Sequence, residues 1–173
     1  CACLVGSEMC IRDSNETFQD ALRDAESSDK PNNISPAILY SLEEGIRALW
    51  LGDMENDYMV AIEDDIELSP VDILFAPHHG RKSGRVPKTW LDKLEPRLIV
   101  VGEAPSDELE YYSNYNTLTQ NSAGDILFCC ETGKTHVYVG SPSYSVNFLD
   151  RDPNASVVKG SLYYLGSFDC GDR

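Results

Sequence analysis

Two short apolar runs end in residues that commonly bind metal ions, and this pattern constrains the fold more than any other. The run at 49–51 ends in Gly52-Asp53, and the run at 72–77 ends in His78-His79-Gly80. A rigid strand fixes a side chain at its end while the following loop leaves that side chain reachable. Imidazole and carboxylate are ligands of catalytic zinc sites that keep one position open for water. The two runs therefore predict strands that deliver metal ligands.

Each motif taken singly has a plainer interpretation. Tandem histidines in a loop are commonly solvated, and Gly-Asp after a strand is commonly a turn with a helix cap. The two motifs in this order favour a metal site over a pair of ordinary turns.

Hydrophobic periodicity predicts alternating strands and helices. Residues 36–42 and 46–51 are two strands joined by a turn at Glu44-Gly45, and 55–68 and 87–94 have helical spacing. Further segments are a short helix at 107–115 and strands at 72–76, 97–101, 125–130, 135–139, 144–149 and 157–165. A length of 173 residues with 42% apolar residues is enough for one domain with a core.

Charge and hydropathy limit the partners. No apolar run approaches the roughly 20 residues of a membrane span, so we predict no membrane segment here. A net charge of −15 argues against strong general binding of nucleic acid. Basic residues are nevertheless concentrated between Arg81 and Arg97, directly after the histidines. This cluster is either a solvated loop and helix face or an anion-binding rim fit for a phosphate.

The six cysteines do not form a recognisable disulfide or zinc framework. Cys129 and Cys130 are adjacent in a predicted strand, so their side chains point to opposite faces and cannot both bind one metal ion without distortion of the strand. Cys170 stands alone, and no Cys-x-x-Cys is present. We expect thiols in a reducing compartment and therefore a cytoplasmic protein.

The motifs belong to a longer pattern, which runs through Asn33-x-Ser35, Leu49-Trp-Leu-Gly-Asp53, Asp72-Ile-Leu-Phe-Ala-Pro-His78-His79-Gly80, Leu91-Asp-Lys-Leu-Glu-Pro96 and Leu98-Ile-Val-Val-Gly102. Over residues 32–140 it resembles the metallo-β-lactamase-fold hydrolases, in the branch related to the soluble domain of the competence protein ComEC. The resemblance implies an α/β fold: the C-terminal half of an αββα sandwich, with a mixed sheet and flanking helices.

The resemblance also implies a site. Asp53 would bridge two metal ions, and one histidine would bind the second ion. We favour His78, because it comes first after the strand, and keep His79 as the alternative. Two zinc ions are expected, with manganese or iron as alternatives.

The implied reaction is hydrolysis of a phosphodiester or related ester by a metal-bound hydroxide. Substrate binding is expected from Arg81, Lys82 and Ser83, and support of the ligands from Asn33 and Ser35.

One departure from the family is severe. The family's main ligand cluster, His-x-His-x-Asp-His, does not occur, and the chain contains only His78, His79 and His136. We therefore expect the dinuclear site to be incomplete and the chain alone to be inactive. Residues 7–14 resemble translated sequencing-adapter DNA, which predicts that 1–14 are not biological and that an upstream half is missing. The alternative is an ordinary N-terminal segment of unusual composition.

This expectation divides the chain into three parts: a non-native segment at 1–14, a partial domain at 15–140, and a C-terminal appendage of the same domain at 141–173. The full-length protein could be attached to a membrane, as the competence relatives are. A second hypothesis from a different class is a metal-free relic of the fold that acts as an interaction module. The oligomeric state stays open.

Overall fold

Strands alternate with short helices along the part of the chain that the structure, a computed structural model, describes: residues 16–105 and 108–172. The helices are α1 (Glu16–Ser28), α2 (Asn56–Ala61), α3 (Lys88–Leu94) and α4 (Gln120–Ala123). The strands are β1 (Ile38–Ser41), β2 (Arg47–Trp50), β3 (Ile73–Phe75), β4 (Leu98–Val101), β5 (Thr117–Thr119), β6 (Ile126–Glu131), β7 (Lys134–Val139), β8 (Val158–Lys159) and β9 (Leu162–Asp169). The expectations about residues 1–14, with Cys1, Cys3 and Cys10, fall outside the described residues.

The first five strands form a mixed sheet, sheet A, in the order β1-β2-β3-β4-β5. The β1–β2 pair is an antiparallel hairpin, whereas β2, β3, β4 and β5 run parallel to one another. The parallel register sets Leu49 beside Leu74, and Leu74 beside Ile99. The α/β class and the mixed sheet with flanking helices are confirmed.

The last four strands form sheet B, which is antiparallel and has the order β6-β7-β9-β8. The predicted β6–β7 hairpin is present, with Gly133 in its turn at φ 74°. Residues after 141 contribute β9, which pairs with β7 over most of its length and has a bulge beside Val137.

Two apolar cores lie on opposite faces of sheet A, because side chains alternate along each strand. Leu74 and Ile99 face the helices, where they pack with Met59 of α2 and Trp90 of α3. The alternate positions of sheet A, with Ile73 and Leu98 among them, face sheet B and pack against its residues Val137, Val139 and Leu165. The result is three layers in the order helices, sheet A, sheet B.

A buried carboxylate links three strands at the edge of sheet A where the parallel strands begin. Asp72 is fully buried. It accepts a hydrogen bond from the backbone N–H of Arg47 at 2.8 Å and another from Nε of Arg97 at 3.0 Å. A buried carboxylate is tolerated where hydrogen bonds and an ion pair satisfy it, and the Arg97 guanidinium supplies that ion pair.

Four predicted elements differ from the structure. The single strand predicted at 157–165 is instead two antiparallel strands, β8 and the first part of β9, joined by a turn. The helix predicted at 55–68 ends at Ala61 and is followed by a 3₁₀ turn at Glu63–Asp65, because acidic residues are unfavourable at a helix C-terminus. Of the helix predicted at 107–115, the described residues 108–115 form a 3₁₀ turn at Leu109–Tyr112 and no longer helix. The strand predicted at 144–149 is wrong: its apolar side chains pack against the second core from a loop.

None of the helices in the described residues has the length and apolar character that a bilayer span requires.

Candidate functional site

The turns after β2, β3 and β4 meet at one edge of sheet A. Parallel strands end at the same edge, which is where ligands bind in open α/β sheets. Gly52-Asp53 follows β2, His78-His79 follows β3, and Gly102 follows β4. The backbone N–H of His78 donates to the carbonyl of Gly52 at 2.9 Å. The two predicted ligand turns are therefore joined directly.

Both histidines have left-handed backbone conformations. His78 has φ 49° and ψ 42°, and His79 has φ 59° and ψ 13°. Such conformations are uncommon for residues other than glycine and cost energy, so they persist only where the surrounding structure imposes them. The turn sends the two imidazoles into different clefts.

His79 and Asp53 line the same cavity, which we call the apolar cleft. It has a volume of about 640 Å³ and lies over the face of sheet A that is turned toward sheet B. Trp50 and Phe75 form its wall, with their rings stacked at a centroid distance of 4.2 Å and an interplanar angle of 10°. Both Asp53 and His79 are exposed, so a ligand can reach them.

A glycine opposite the histidine turn sets the position of His79. A Cβ atom at Gly102 would lie 2.8 Å from Nδ1 and 3.0 Å from Cβ of His79, which is closer than real side chains approach. Gly102 therefore lets the turn after β3 pack directly against the end of β4.

Ser35 and Asn33, expected to support the ligands, contact the turn that carries Asp53. Oγ of Ser35 accepts a hydrogen bond from the Asp53 backbone N–H at 3.0 Å. Oδ1 of Asn33 accepts one from the backbone N–H of Glu55 at 3.2 Å. Neither contact touches the Asp53 carboxylate, so both residues act by holding the backbone.

His78 faces a second cavity, which we call the polar cleft, on the other side of the histidine turn. Its Nδ1 lies 2.9 Å from Oγ of Ser83. The polar cleft has a volume of about 600 Å³ and is lined by Glu55, Asn56, Asp57, His78, Arg81, Lys82, Ser83 and Glu108. The three residues expected to bind substrate therefore share a cleft with His78, and Asp53 is not among its lining residues.

Acidic groups face the basic residues in the polar cleft. The backbone N–H of Lys82 donates to Oε2 of Glu108 at 3.0 Å. A hydrogen bond and ion pair with Lys30 lowers the pKa of Asp57, which stays ionised at neutral pH. The cleft therefore presents both signs of charge to a ligand, not a purely basic rim.

Metal-binding side chains are few at this edge. The apolar cleft brings together one carboxylate and one imidazole, those of Asp53 and His79. Within residues 16–105 and 108–172, no three or more His, Cys, Asp or Glu side chains are grouped to hold a metal ion. The third histidine, His136, lies in β7 of sheet B, with Nδ1 3.3 Å from the hydroxyl of Tyr164.

Sequence reasoning missed the aromatic wall and Gln120, which also lines the apolar cleft. Trp50 carried a signal, because it stands within the run that ends in Gly52-Asp53. Gln120 carried none, because it follows β5, a three-residue strand with threonine at both ends that was not predicted.

Comparison of the chain with protein-family models, with curated proteins and with solved structures gives no match.

Proposed function

We propose that this chain carries part of the active site of a metal-dependent hydrolase of the metallo-β-lactamase type, which acts on a phosphodiester or related ester. The observation that carries the proposal is the meeting of Asp53 and His79 at one cleft, each delivered by the end of a neighbouring parallel strand. The strained histidine turn adds support, because backbone strain of this kind concentrates at functional sites.

The Asp53 carboxylate and the His79 imidazole are donor types that suit a transition metal, but two donors are too few to hold one. Carboxylate and imidazole suit zinc, and they also suit manganese and iron. Two side chains are fewer than the protein ligands of a catalytic zinc centre. We propose that the remaining donors lie outside the described residues. When bound, the metal ions would supply an activated water and a Lewis acid.

The chain's own residues have separate tasks in this proposal. Asp53 places a carboxylate at the mouth of the apolar cleft, on a turn that Ser35 holds. His79 places an imidazole there, on a turn that packs against Gly102. The stacked rings of Trp50 and Phe75 exclude water from the inner wall and can orient an apolar part of the substrate.

The geometry favours His79 over His78 as the ligand that works with Asp53. His79 shares a cleft with the carboxylate, whereas His78 is bonded to Ser83 in the polar cleft. His78 then acts by holding the loop that follows it, which is the usual task of residues around a metal ligand.

The open edge of sheet A supports the half-sandwich architecture. In β1, the side chains of Ile38, Leu39 and Tyr40 are 54%, 50% and 46% exposed, although β1 is part of a five-stranded sheet. An apolar edge strand left open on both faces is typical of a surface that another part of a protein covers. We propose that the rest of an αββα sandwich covers it.

Site-resolved zinc titration tests the proposal. Zinc is added to the chain of 173 residues while backbone and imidazole resonances are followed by NMR. We expect weak binding, with a Kd above about 10 μM because ligands are lacking. The resonances that move should be those of Asp53 and His79.

Matched variants decide which groups bind. Asp53→Asn and His79→Gln should each weaken zinc binding about tenfold, whereas His78→Gln should change it less than about twofold. Equal binding by the Asp53→Asn variant would overturn the site. Tight stoichiometric binding by the unmodified chain would overturn the claim that the donor set is incomplete.

The competing hypothesis is a non-catalytic interaction module of the same fold. It is favoured by one observation, the lack of three grouped metal-binding side chains among the described residues. A zinc titration in which neither Asp53 nor His79 responds would support it against the hydrolase.

A further inference from the structure

The outer face of sheet B carries a group of polar, titratable side chains that the proposed hydrolase does not use. We call it the thiol cluster: Cys129 of β6, His136 of β7 and Lys159 of β8. Nζ of Lys159 donates a hydrogen bond to Sγ of Cys129 at 3.1 Å. His136 stands directly opposite Cys129 in the β6–β7 ladder.

Tyr138 forms the floor of the thiol cluster. Its ring is buried, and the Lys159 ammonium lies 5.9 Å from the ring centre. The ammonium that meets the sulfur therefore also makes a cation–π contact with the Tyr138 ring, which helps to hold it there. Cys129 is half-buried and Lys159 is exposed, so small reagents can reach the sulfur.

The charges around the cluster single out Lys159 as the cation at the sulfur. The other lysine near this face, Lys134, lies 3.7 Å from a carboxylate oxygen of Asp152 and 3.9 Å from one of Asp169. The hydrogen bond to Cys129 raises the pKa of Lys159, with Glu131 adding to the effect, so the amine stays protonated at neutral pH. A protonated amine at a sulfur stabilises the thiolate, which is the nucleophilic form.

We infer that Cys129 is a nucleophile that forms mixed disulfides with small disulfide molecules, and that Lys159, whose ammonium contacts its sulfur, is its positioning residue. In this step the thiolate of Cys129 attacks one sulfur of the small disulfide. A new sulfur–sulfur bond forms at Cys129 as the old one breaks. The leaving thiolate takes the electron pair and then a proton from water.

The neighbouring residue is an internal control for this inference. Cys130 points to the opposite face of β6 and packs in the core between the two sheets. Partial burial against the core raises the pKa of Cys130, which is half-buried, and burial raises the pKa of Cys170, which is buried. Both thiols should therefore stay protonated and react slowly.

The test is the rate of modification of each cysteine in the full chain at pH 7. The probe is 4,4′-dithiodipyridine, an uncharged small disulfide, and modified sites are located by peptide mass spectrometry. Mapping separates Cys129 from the cysteines of the N-terminal segment. We expect Cys129 to react at least about tenfold faster than Cys130 and Cys170.

Three lysine variants test the role of Lys159. Lys159→Met removes the charge and should slow Cys129 about tenfold, and Lys159→Arg should restore most of the rate. Lys134→Met, the matched control on the same face, should change the rate less than about twofold. The inference is overturned if Cys129 reacts no faster than Cys130, or if Lys159→Met leaves its rate unchanged. It is also overturned if Cys129 is modified as slowly in the Lys159→Arg variant as in the Lys159→Met variant, because the positive charge would then not be the cause of the faster reaction.

Discussion

At the scale of single residues, the histidine turn holds strain that the surrounding loop must offset. His79 keeps a left-handed backbone although its side chain is exposed. The bond from the His78 N–H to Gly52 and the close packing on Gly102 maintain this conformation. Because the strained backbone of His79 lowers stability and lies at a solvent-accessible cleft, a functional role explains this conformation better than packing does.

Substitution of His79 should expose this strain. Glycine accepts the left-handed region and alanine does not, so His79→Gly should be more stable than His79→Ala by about 1 kcal/mol. The measurement is urea unfolding of both variants followed by circular dichroism. Arg81 is the matched control, because it is exposed and has an ordinary φ of −62°. There the order should reverse, with alanine the more stable, and the same order at both positions would contradict the strain.

At the scale of elements, β1 is the weak point of sheet A. It pairs with β2 on one side only, and its three apolar side chains are about half exposed. Its faces border two cavities, the apolar cleft beside Ile38 and Tyr40 and a smaller one beside Leu39. An open apolar edge promotes pairing between chains when nothing covers it.

A charge on β1 should therefore reduce self-association of the isolated chain. Leu39→Lys places an ammonium on the exposed edge strand, where lysine is a common protection against strand pairing. We expect a lower mean mass in sedimentation velocity than for the unmodified chain at the same concentration.

The matched control for Leu39→Lys is Val60→Lys on α2, which replaces an apolar residue that is 53% exposed and lies outside the sheets. It should leave the mean mass unchanged. An equal effect of both variants would mean that net charge, and not the β1 edge, governs association.

At the scale of the whole molecule, sheet A is shared by both apolar cores. One face packs on α2 and α3, and the other packs on sheet B. Loss of either core removes support from the same strands. We therefore expect the described part of the chain to unfold as one cooperative unit.

A destabilising substitution in one core should therefore also lower the urea concentration at which the other core unfolds. Val137 is fully buried between the sheets, and Val137→Ala should cost about 2 kcal/mol. Trp90 lies in the opposite core. The chain has two tryptophans, so the substitution Trp50→Phe makes Trp90 the sole source of tryptophan fluorescence. In that background, Val137→Ala should lower the urea midpoint measured by Trp90 fluorescence and the midpoint measured by circular dichroism by the same amount.

The control is Val157→Ala, at a position that is 74% exposed. It should change the free energy of unfolding obtained from either measurement by no more than about 0.5 kcal/mol. Separate midpoints would show that the two cores unfold independently.

Local sequence pattern determined much of sheet A. The hairpin of β1 and β2, the helix α3 and the strands β3 and β4 follow from alternation, apolar runs and Pro87 near a helix start. These signals are local, because each depends on residues a few positions apart. The same signals were weaker where an element is short, which is why β5 was missed and 144–149 was wrongly predicted as a strand.

The sequence also determined that Gly52-Asp53 and His78-His79 each follow a strand, and the parallel pairing of β2 and β3 in the structure then brings them to one edge. Which histidine shares a cleft with Asp53 was decided only by the tertiary structure. Neighbouring residues in a turn diverge by an amount that depends on their φ and ψ, and here the packing on Gly102 and the bond to Gly52 set those angles. The separation of Arg81, Lys82 and Ser83 from Asp53, and the meeting of Lys159 with Cys129 across 30 residues, were decided in the same way. Contacts between distant segments arise from packing of the whole chain, and no local pattern of residue types encodes them.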